Sequence, residues 1–262
     1  MFSLFRSVLI AALALPPVCH AQRVLRVCAD PDNLPFSNQA RTGFDNRIAE
    51  LLIRDLGRQP EFVWARARRG FLRERFNHGD CDLLMGTPDG LKRVRQTRPY
   101  YQSSYVFVTR TADHWQLSSF SDPSIGSQRI GLQILDEDFS PPSLPLIHYG
   151  HASQLVGYRS FGSEAGEIVH AVASRKVGFA VVWGPVAGYY ASREHVPLSL
   201  HAVSPAIEDG IPFRYDIAIA VHSSDLQLAD ALNRAIEKNL SEIRHILNSY
   251  HVPQLEEKEG GL

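Results

Sequence analysis

The chain has few cysteines and almost no net charge, and these two shortages exclude several classes of protein. Three cysteines in 262 residues are too few for a small disulfide-rich scaffold, and no CxxC pair of the kind found in zinc sites occurs. A net charge of -1 provides no electrostatic reason to expect a nucleic acid as a partner. After residue 21 no apolar run approaches the roughly 18 residues that a membrane-spanning helix needs, so we expect no stable membrane anchor.

The chain does contain enough apolar residues for a large core. Hydrophobic residues make up 44% and charged residues only 21% of the sequence, which is unlike a highly charged disordered chain. The length of 262 residues suits either one large domain or two lobes of about 100–150 residues each.

Residues 1–21 have the pattern of a secretory signal peptide. Arg6 precedes an apolar run over residues 7–15, and two prolines and the small residue Ala21 follow. We therefore predict export and cleavage after Ala21. A permanent anchor is the weaker alternative, because the apolar run is too short to cross a bilayer.

Cleavage there leaves Cys28 and Cys81 as the cysteines of the mature chain. Two cysteines in an oxidising compartment favour a disulfide. The alternative is two separate buried thiols.

Strand patterns and helix patterns alternate along the mature chain, which predicts a parallel sheet covered by helices on both faces. The predicted strands are residues 24–29, 61–64, 81–85, 105–109, 129–134, 177–183 and 215–221. The predicted helices are residues 45–56, 70–77 and 164–175, one that begins at Gly184 and Pro185, and two near the end that bury Leu228, Leu232, Ile236, Ile243, Ile246 and Leu247.

Polar breaks over residues 111–127 and 204–212 divide this pattern and predict two lobes. Lobe 1 would contain residues 22–110 and 206–253, lobe 2 would contain residues 111–205, and residues 254–262 would form a frayed tail. A cleft between two α/β lobes is the usual place for a ligand.

Three segments resemble the type II periplasmic solute-binding proteins: LRVCADPDNLPF (25–36), GFDNRIAELL (43–52) and GDCDLLMGTPDGLKRVRQTRPYY (79–101). A wider set of motifs is similar to the MoxJ/MxaJ/XoxJ branch of that family: VCADPDNLPFSN, RRGF, CDLLMGTP, TRPYYQSSYVFV, RIGLQ, VVWGPVAGYY, YDIAIAV and ILNSYHVP. The order and spacing of these motifs, which run from residue 25 to residue 253, make the match specific.

The resemblance implies an α/β, two-lobed type II periplasmic binding protein fold, in which each lobe is a mixed, mainly parallel sheet flanked by helices and a hinge joins the lobes. It also implies a periplasmic, non-enzymatic accessory protein for a PQQ-dependent alcohol dehydrogenase, with a methanol dehydrogenase as the expected enzyme. The protein would assist maturation or activation of that enzyme through the cleft or a docking face. A cytochrome c of the same system is a second candidate partner, and the protein would have no cofactor of its own. The alternative is the solute-binding receptor of an ABC-type transporter.

Three departures from amino-acid-binding members of the family favour a ligand other than a free amino acid. Gly90 stands where those proteins have an arginine for the ligand carboxylate, and Gly184 stands where they have an aspartate for the ammonium group. Residues 135–138 replace the Gly-Thr helix start that suits an anion.

The resemblance implies that Tyr101 and Trp183 face the cleft, although core packing is the alternative for these aromatic residues. Arg68 and Arg69 belong to an arginine-rich stretch that is either a docking patch for an acidic partner or a solvated helix face. The full set of expected binding residues is Asp30, Phe36, Arg68, Arg69, Thr87, Tyr100, Tyr101, Gln133, Asp136 and Trp183.

We predict neither a metal site nor a catalytic residue. The acidic run over residues 136–138 lacks the spacing of a calcium loop, and His148 and His151 lie in a region without helical character. The GxSxG motif of a nucleophilic serine is absent.

Overall fold

The computed structural model describes residues 24–66 and 70–254. The predicted signal peptide and its cleavage site, Arg68, Arg69 and residues 255–262 of the predicted tail lie outside the described residues. Within the described part of the chain, no helix is both long enough and apolar enough to cross a membrane.

The described residues form strands and helices in alternation. The strands are β1 (Val24–Ala29), β2 (Asp32–Asn33), β3 (Ser37–Asn38), β4 (Gln59–Trp64), β5 (Leu83–Pro88), β6 (Val94–Gln96), β7 (Tyr101–Arg110), β8 (Ile130–Leu135), β9 (Asp138–Phe139), β10 (Leu155–Arg159), β11 (Phe179–Trp183), β12 (Leu198–Ala202), β13 (Ile207–Glu208), β14 (Ile211–Pro212) and β15 (Arg214–His222). The α-helices are α1 (Phe44–Asp55), α2 (Ser143–His148), α3 (Glu167–Ala173), α4 (Gly184–Ala191), α5 (Leu226–Lys238) and α6 (Leu240–Ser249).

Most of the strands join in one mixed sheet in the order β10-β8-β11-β7-β15-β5-β1-β4. β1 pairs in parallel with β4 and β5, and β8 pairs in parallel with β10 and β11. β7 and β15, in the middle of this order, run antiparallel to their neighbours. The sequence pattern grouped residues 105–109 with parallel strands, and that detail is wrong. These residues belong to β7, which crosses from one half of the sheet to the other, whereas β15 returns in the opposite direction.

β7 connects the two halves of the sheet. Its first residues, from Tyr101 to Ser104, pair with β15, and the residues from Tyr105 onwards pair with β11 and β12. Buried apolar residues form one cluster around β1, β5, α1, α5 and α6 and two further clusters on the two faces of β7 and β11. Since β7 belongs to both halves, the sheet is continuous and does not itself mark where one lobe ends. The lobe boundary at residues 110 and 111 stays a prediction.

The ends of α1 depend on two glycines. A Cβ atom on Gly43 would overlap the carbonyl oxygen of Phe36, so only glycine permits this close approach before the helix. Gly57, the predicted stop, has a φ of 67° and follows the last turn. Between them, Ile48 and Leu52 are fully buried, as the apolar spacing predicts.

Two predicted helices are shorter in the structure. The helix predicted over residues 70–77 is a single π-helical turn, Leu72–Phe76, whose Phe76 packs beside Cys28 and Cys81. The helix predicted over residues 164–175 is α3, which begins at Glu167 after a 3-10 turn over Gly162–Glu164. Gly166, a poor helix former, separates the two segments.

A disulfide joins Cys28 to Cys81, as one of the two alternatives predicted. The Cα atoms are 5.5 Å apart, within the range that a disulfide spans, and both residues are buried. The bridge links β1 to the segment immediately before β5, so it holds together two neighbouring strands that supply the candidate site.

Candidate functional site

A cleft of about 600 Å³ opens where the strands of the two sheet halves end. β1 and β5 contribute from one half and β8 and β11 from the other, and the carboxyl ends of parallel strands are where α/β sheets usually bind ligands. We call this feature the central cleft. It is lined by Val27, Cys28, Ala29, Asp30, Asn33, Phe36, Ser37, Asp45, Asn46, Phe62, Phe71, Leu72, Leu84, Met85, Gly86, Thr87, Pro88, Leu91, Tyr101, Tyr105, Gln133, Leu135, Pro141, Ser160, Phe161, Trp183, Val186, Tyr215 and Ile217.

Aromatic side chains form much of the wall of the central cleft. Trp183 makes edge-to-face contacts with Tyr105 and Tyr215, with ring centroids 5.4 Å and 5.7 Å away. Tyr101 packs at 5.8 Å against Phe44 of α1. Such contacts fix ring orientation while leaving apolar faces available to a ligand.

Gln133 holds the backbone at Trp183. Its side-chain oxygen accepts a hydrogen bond of 2.7 Å from the backbone N–H of Trp183, and the Gln133 side chain is buried. Because Trp183 is the last residue of β11 and the N-cap of α4, this bond satisfies an N–H that the helix leaves unpaired. Gln133 therefore positions the tryptophan in the cleft wall.

A buried carboxylate, Asp45, lies in the first turn of α1 and lines the cleft. The hydroxyl of Tyr100 donates a hydrogen bond of 2.6 Å to its Oδ1 atom and accepts one of 3.0 Å from the N–H of Gly86. Burial raises the pKa of Asp45 to about 7, and the Tyr100 hydrogen bond opposes part of that rise. Burial, together with the nearby Asp45, also raises the pKa of Tyr100, so this hydroxyl keeps its proton.

The next residue, Asn46, also lines the cleft and is almost completely buried, with 1% of its surface exposed. Its Oδ1 atom accepts a hydrogen bond of 3.0 Å from the N–H of Asn38. Its Nδ2 atom has no hydrogen-bond partner among the residues that the structure describes.

Sequence reasoning missed both Asp45 and Asn46 as site residues. The available signal was a pair of polar residues at the start of an amphipathic helix, and that pattern is more typical of a solvated helix end.

Of the eight expected binding residues that the structure describes, six line the central cleft, whereas Tyr100 and Asp136 do not. The six are Asp30, Phe36, Thr87, Tyr101, Gln133 and Trp183. Tyr100 lies one layer behind the cleft wall, where it contacts Asp45. Asp136 lies at the exposed turn between β8 and β9, with a φ of 58°, and the structure does not bring it to the cleft wall. A role for any of these residues in binding stays a prediction.

Gly184 and Gly90 stand where amino-acid-binding members of the family have charged residues for the ligand, and the structure shows the surroundings of both. A Cβ atom on Gly184 would lie 2.7 Å from both the backbone oxygen of Ser104 and the hydroxyl of Ser103, so this position has no room for an aspartate. Gly90 is exposed in a turn with a φ of 84° and does not line the cleft. Among the described residues, neither lysine nor arginine lines the cleft.

Metal ligands do not converge in the part of the chain that the structure describes: no group of three or more His, Cys, Asp or Glu side chains is placed to hold an ion. His148 is the last residue of α2, so the prediction that its region lacks helical character is wrong. Its ring contacts that of Tyr149, and His151 contacts Gln154.

Comparison with known proteins identifies relatives of this fold and cleft. The model of the bacterial extracellular solute-binding proteins, family 3, matches residues 25–252. The protein MoxJ of Paracoccus denitrificans is 27% identical over 264 aligned residues, which cover 94% of each chain. The crystal structure of MxaJ from Methlophaga aminisulfidivorans MPT has a TM-score of 0.77 and 27% identity, over 88% of this chain and all (100%) of that one. The periplasmic binding protein XoxJ from Methylobacterium extorquens AM1 has a TM-score of 0.74 and 30% identity, over 89% of this chain and all (100%) of that one. The predicted fold and the predicted resemblance to this branch are confirmed.

Proposed function

The chain belongs to the bacterial extracellular solute-binding proteins, family 3, and from this membership we propose that it is a periplasmic, non-enzymatic accessory protein of a PQQ-dependent alcohol dehydrogenase. The similarity to MoxJ, MxaJ and XoxJ along nearly the whole chain supports this proposal, because the motifs of that branch imply a methanol-oxidising system. The protein binds the dehydrogenase and assists its maturation or activation. A cytochrome c of the same system is a second candidate partner.

One observation carries the proposal: the described lining of the central cleft is aromatic and apolar, with carboxylates but without lysine or arginine. A free amino acid needs a partner for its carboxylate, and the described lining supplies no cationic side chain for it. An apolar protein segment needs no such partner and gains from the burial of its side chains. The cleft therefore suits a segment of an immature enzyme better than it suits an amino acid.

The proposed mechanism is protection of an apolar segment. Partly folded chains expose apolar surface that aggregates, and a cleft that covers one segment reduces this exposure. The segment leaves the cleft when the mature dehydrogenase buries the same side chains in its own core.

The test uses the chain from Gln22 onwards as bait in a periplasmic extract of its own host, with mass spectrometry of the captured proteins. We expect a quinoprotein dehydrogenase. A Trp183→Ala bait tests the cleft, with Trp64→Ala as its control, because Trp64 is stacked on Phe62 and does not line the cleft. Capture of a transporter subunit alone, or of no dehydrogenase, contradicts the proposal.

The docking face requires a separate bait. The double variant Arg68→Glu/Arg69→Glu reverses the charge of the predicted patch, and Arg58→Glu/Arg75→Glu makes the same change at other arginines of the same stretch. Loss of the dehydrogenase with the first variant alone assigns the contact to Arg68 and Arg69. Equal capture of the dehydrogenase by both variants assigns the contact to another part of the protein.

A solute receptor of a transporter is the second candidate, favoured by the size of the cleft. A volume of about 600 Å³ is ordinary for a small-molecule pocket. Asp30, which lines the same cleft as Trp183, would suit an aromatic or cationic solute. A rise of several degrees in Tm with one compound of a solute library, in the absence of any captured dehydrogenase, would support this candidate.

A further inference from the structure

Two neighbouring residues at the start of α1 line the central cleft and carry one hydrogen-bond donor and one acceptor that no described residue pairs with. Asn46 supplies the donor and Asp45 the acceptor, and both residues line the cleft. Burial of an apolar segment, as proposed above, requires neither group.

The donor is the Nδ2 atom of Asn46. The orientation of this amide is determined by Asn38, whose N–H donates to the Asn46 Oδ1 atom at 3.0 Å. The Nδ2 atom is buried and has no acceptor among the described residues. A buried donor without an acceptor is unfavourable, so it is a place where a ligand oxygen is stabilised.

The acceptor is the Oδ2 atom of Asp45. Tyr100 occupies the other oxygen, Oδ1, at 2.6 Å, and no described residue donates to Oδ2. Gly86, which also lines the cleft, leaves space beside this oxygen: a Cβ atom there would lie 2.9 Å from Oδ2.

This pair selects against charged ligands. An ammonium group has no acceptor for Asn46, and a carboxylate has no donor for Asp45. The described lining also lacks lysine and arginine that could balance an anion. Burial raises the pKa of Asp45 to about 7, so the group is mainly ionised at pH 8, where its Oδ2 atom accepts hydrogen bonds and cannot donate.

Each residue of an extended peptide carries both a donor and an acceptor, which are the two groups that Asp45 and Asn46 lack. In a strand, the N–H and the C=O of the same residue point to the same side, as they do in an antiparallel ladder. We infer that the occupant of the central cleft is an uncharged, extended peptide segment, one residue of which donates its N–H to Asp45 and accepts from Asn46 through its C=O. An apolar or aromatic side chain of that segment packs against Tyr101 and Trp183. This inference rests on the proposed function, which supplies a protein segment as the ligand.

The test titrates acetyl-Ala-Phe-Ala-amide into the chain from Gln22 onwards by isothermal titration calorimetry at about pH 8, where Asp45 is mainly ionised. The comparison probes are the same peptide N-methylated at the phenylalanine nitrogen, phenethylamine, and acetyl-phenylalanine with a free carboxylate. We expect the blocked peptide to bind most tightly and N-methylation to weaken it about tenfold, since one charge-assisted hydrogen bond is lost.

Two variants of the same charge separate the Asn46 contact from a general electrostatic effect. Asn46→Asp keeps the oxygen that accepts from Asn38 and removes the donor, and Asn33→Asp places a carboxylate elsewhere in the cleft lining. We expect about a tenfold loss of peptide affinity in the first variant and less than about a twofold change in the second. Thermal melting of each variant checks that it is folded.

Several outcomes overturn the inference. They are equal binding of the N-methylated peptide, tighter binding of phenethylamine or acetyl-phenylalanine, equal losses in both variants, and no binding of the blocked peptide at millimolar concentration. The proposed function fails separately: peptide binding that depends on Asn46, without capture of a dehydrogenase, supports this inference and contradicts that function. Capture of a dehydrogenase that is equally strong with the Asn46→Asp variant supports that function and contradicts this inference.

Discussion

Tyr100 donates a hydrogen bond of 2.6 Å to the buried carboxylate of Asp45, although 55 positions separate the two residues in the chain. The bond joins the start of α1 to the segment just before β7 and lies directly behind the wall of the central cleft. The bond holds the Oδ1 atom of Asp45, and no described residue donates to the Oδ2 atom.

Protonation of Asp45 should stabilise the folded protein. Its pKa is raised from 3.8 to about 7 in the folded state, so its contribution is fully present below about pH 4 and is lost as the pH rises through 7. We expect the unfolding free energy of the wild type to fall, relative to that of Asp45→Asn, by up to roughly 4 kcal/mol between pH 4 and pH 8. Urea unfolding across this range measures the difference.

The control for this prediction is Asp216→Asn, because Asp216 is exposed and pairs with Gln102. The unfolding free energy of Asp216→Asn should change with pH in the same way as that of the wild type. Parallel stability curves for the wild type and Asp45→Asn would contradict the assignment.

Removal of the Tyr100 hydroxyl should destabilise the fold. In Tyr100→Phe, Asp45 loses its donor and the N–H of Gly86 loses its acceptor, which costs about 1–3 kcal/mol. The pKa of Asp45 should also rise, since this hydrogen bond lowers it. Chemical denaturation and a carbon-13 NMR titration of the carboxyl group measure the two effects.

Tyr149→Phe is the matched control, because the Tyr149 hydroxyl contacts Glu208 at the surface. We expect a change within about 0.5 kcal/mol. An unshifted pKa of Asp45 in Tyr100→Phe would show that the contact does not form in solution.

Loss of the disulfide should lower the stability by about 4 kcal/mol. The bridge from Cys28 to Cys81 spans 53 positions, and the chain-entropy model gives this value for a loop of that length. Dithiothreitol should lower the unfolding midpoint of the wild type and leave that of Cys28→Ser/Cys81→Ser unchanged. Equal sensitivity of both proteins to the reductant would argue against the bridge.

Gly188→Ala should detach the end of the chain from α4. A Cβ atom at Gly188 would overlap the backbone oxygen of His251, so residues after α6 must move away. Gly150→Ala adds a methyl group in open space, where only the φ of 88° opposes it, at a cost of about 1–2 kcal/mol. We expect a larger loss of Tm and faster hydrogen exchange near residue 251 in Gly188→Ala. Equal effects would show that contact with His251 does not hold the chain end.

The sequence by itself predicts much of the architecture, because the relevant signals are local. A short apolar run rich in strand-forming residues indicates β1, and Pro185 after Gly184 indicates the start of α4. The apolar faces of α5 and α6, with Leu232 and Leu247, are buried as their spacing predicts. The order of the motifs along the chain is also sufficient to identify the family.

Local sequence patterns did not predict the direction of β7 or the position of Asp136. Nothing in residues 105–109 shows that β7 runs antiparallel, since strand direction depends on the path of the whole chain. Asp136 belongs to an acidic run that motif alignment placed near the ligand, and the hairpin of β8 and β9 turns it outwards.

The sequence alone determined the fold class and the family, because composition, periodicity and motif order are properties of the chain itself. Only the tertiary structure decided which polar groups meet at the central cleft. Asp45 reads as an ordinary helix-end residue until Tyr100 and Gly86 pack around it, and burial then raises its pKa. The physical reason is that burial and hydrogen bonding are properties of neighbours in space, and these neighbours are about 40–55 residues apart in the chain.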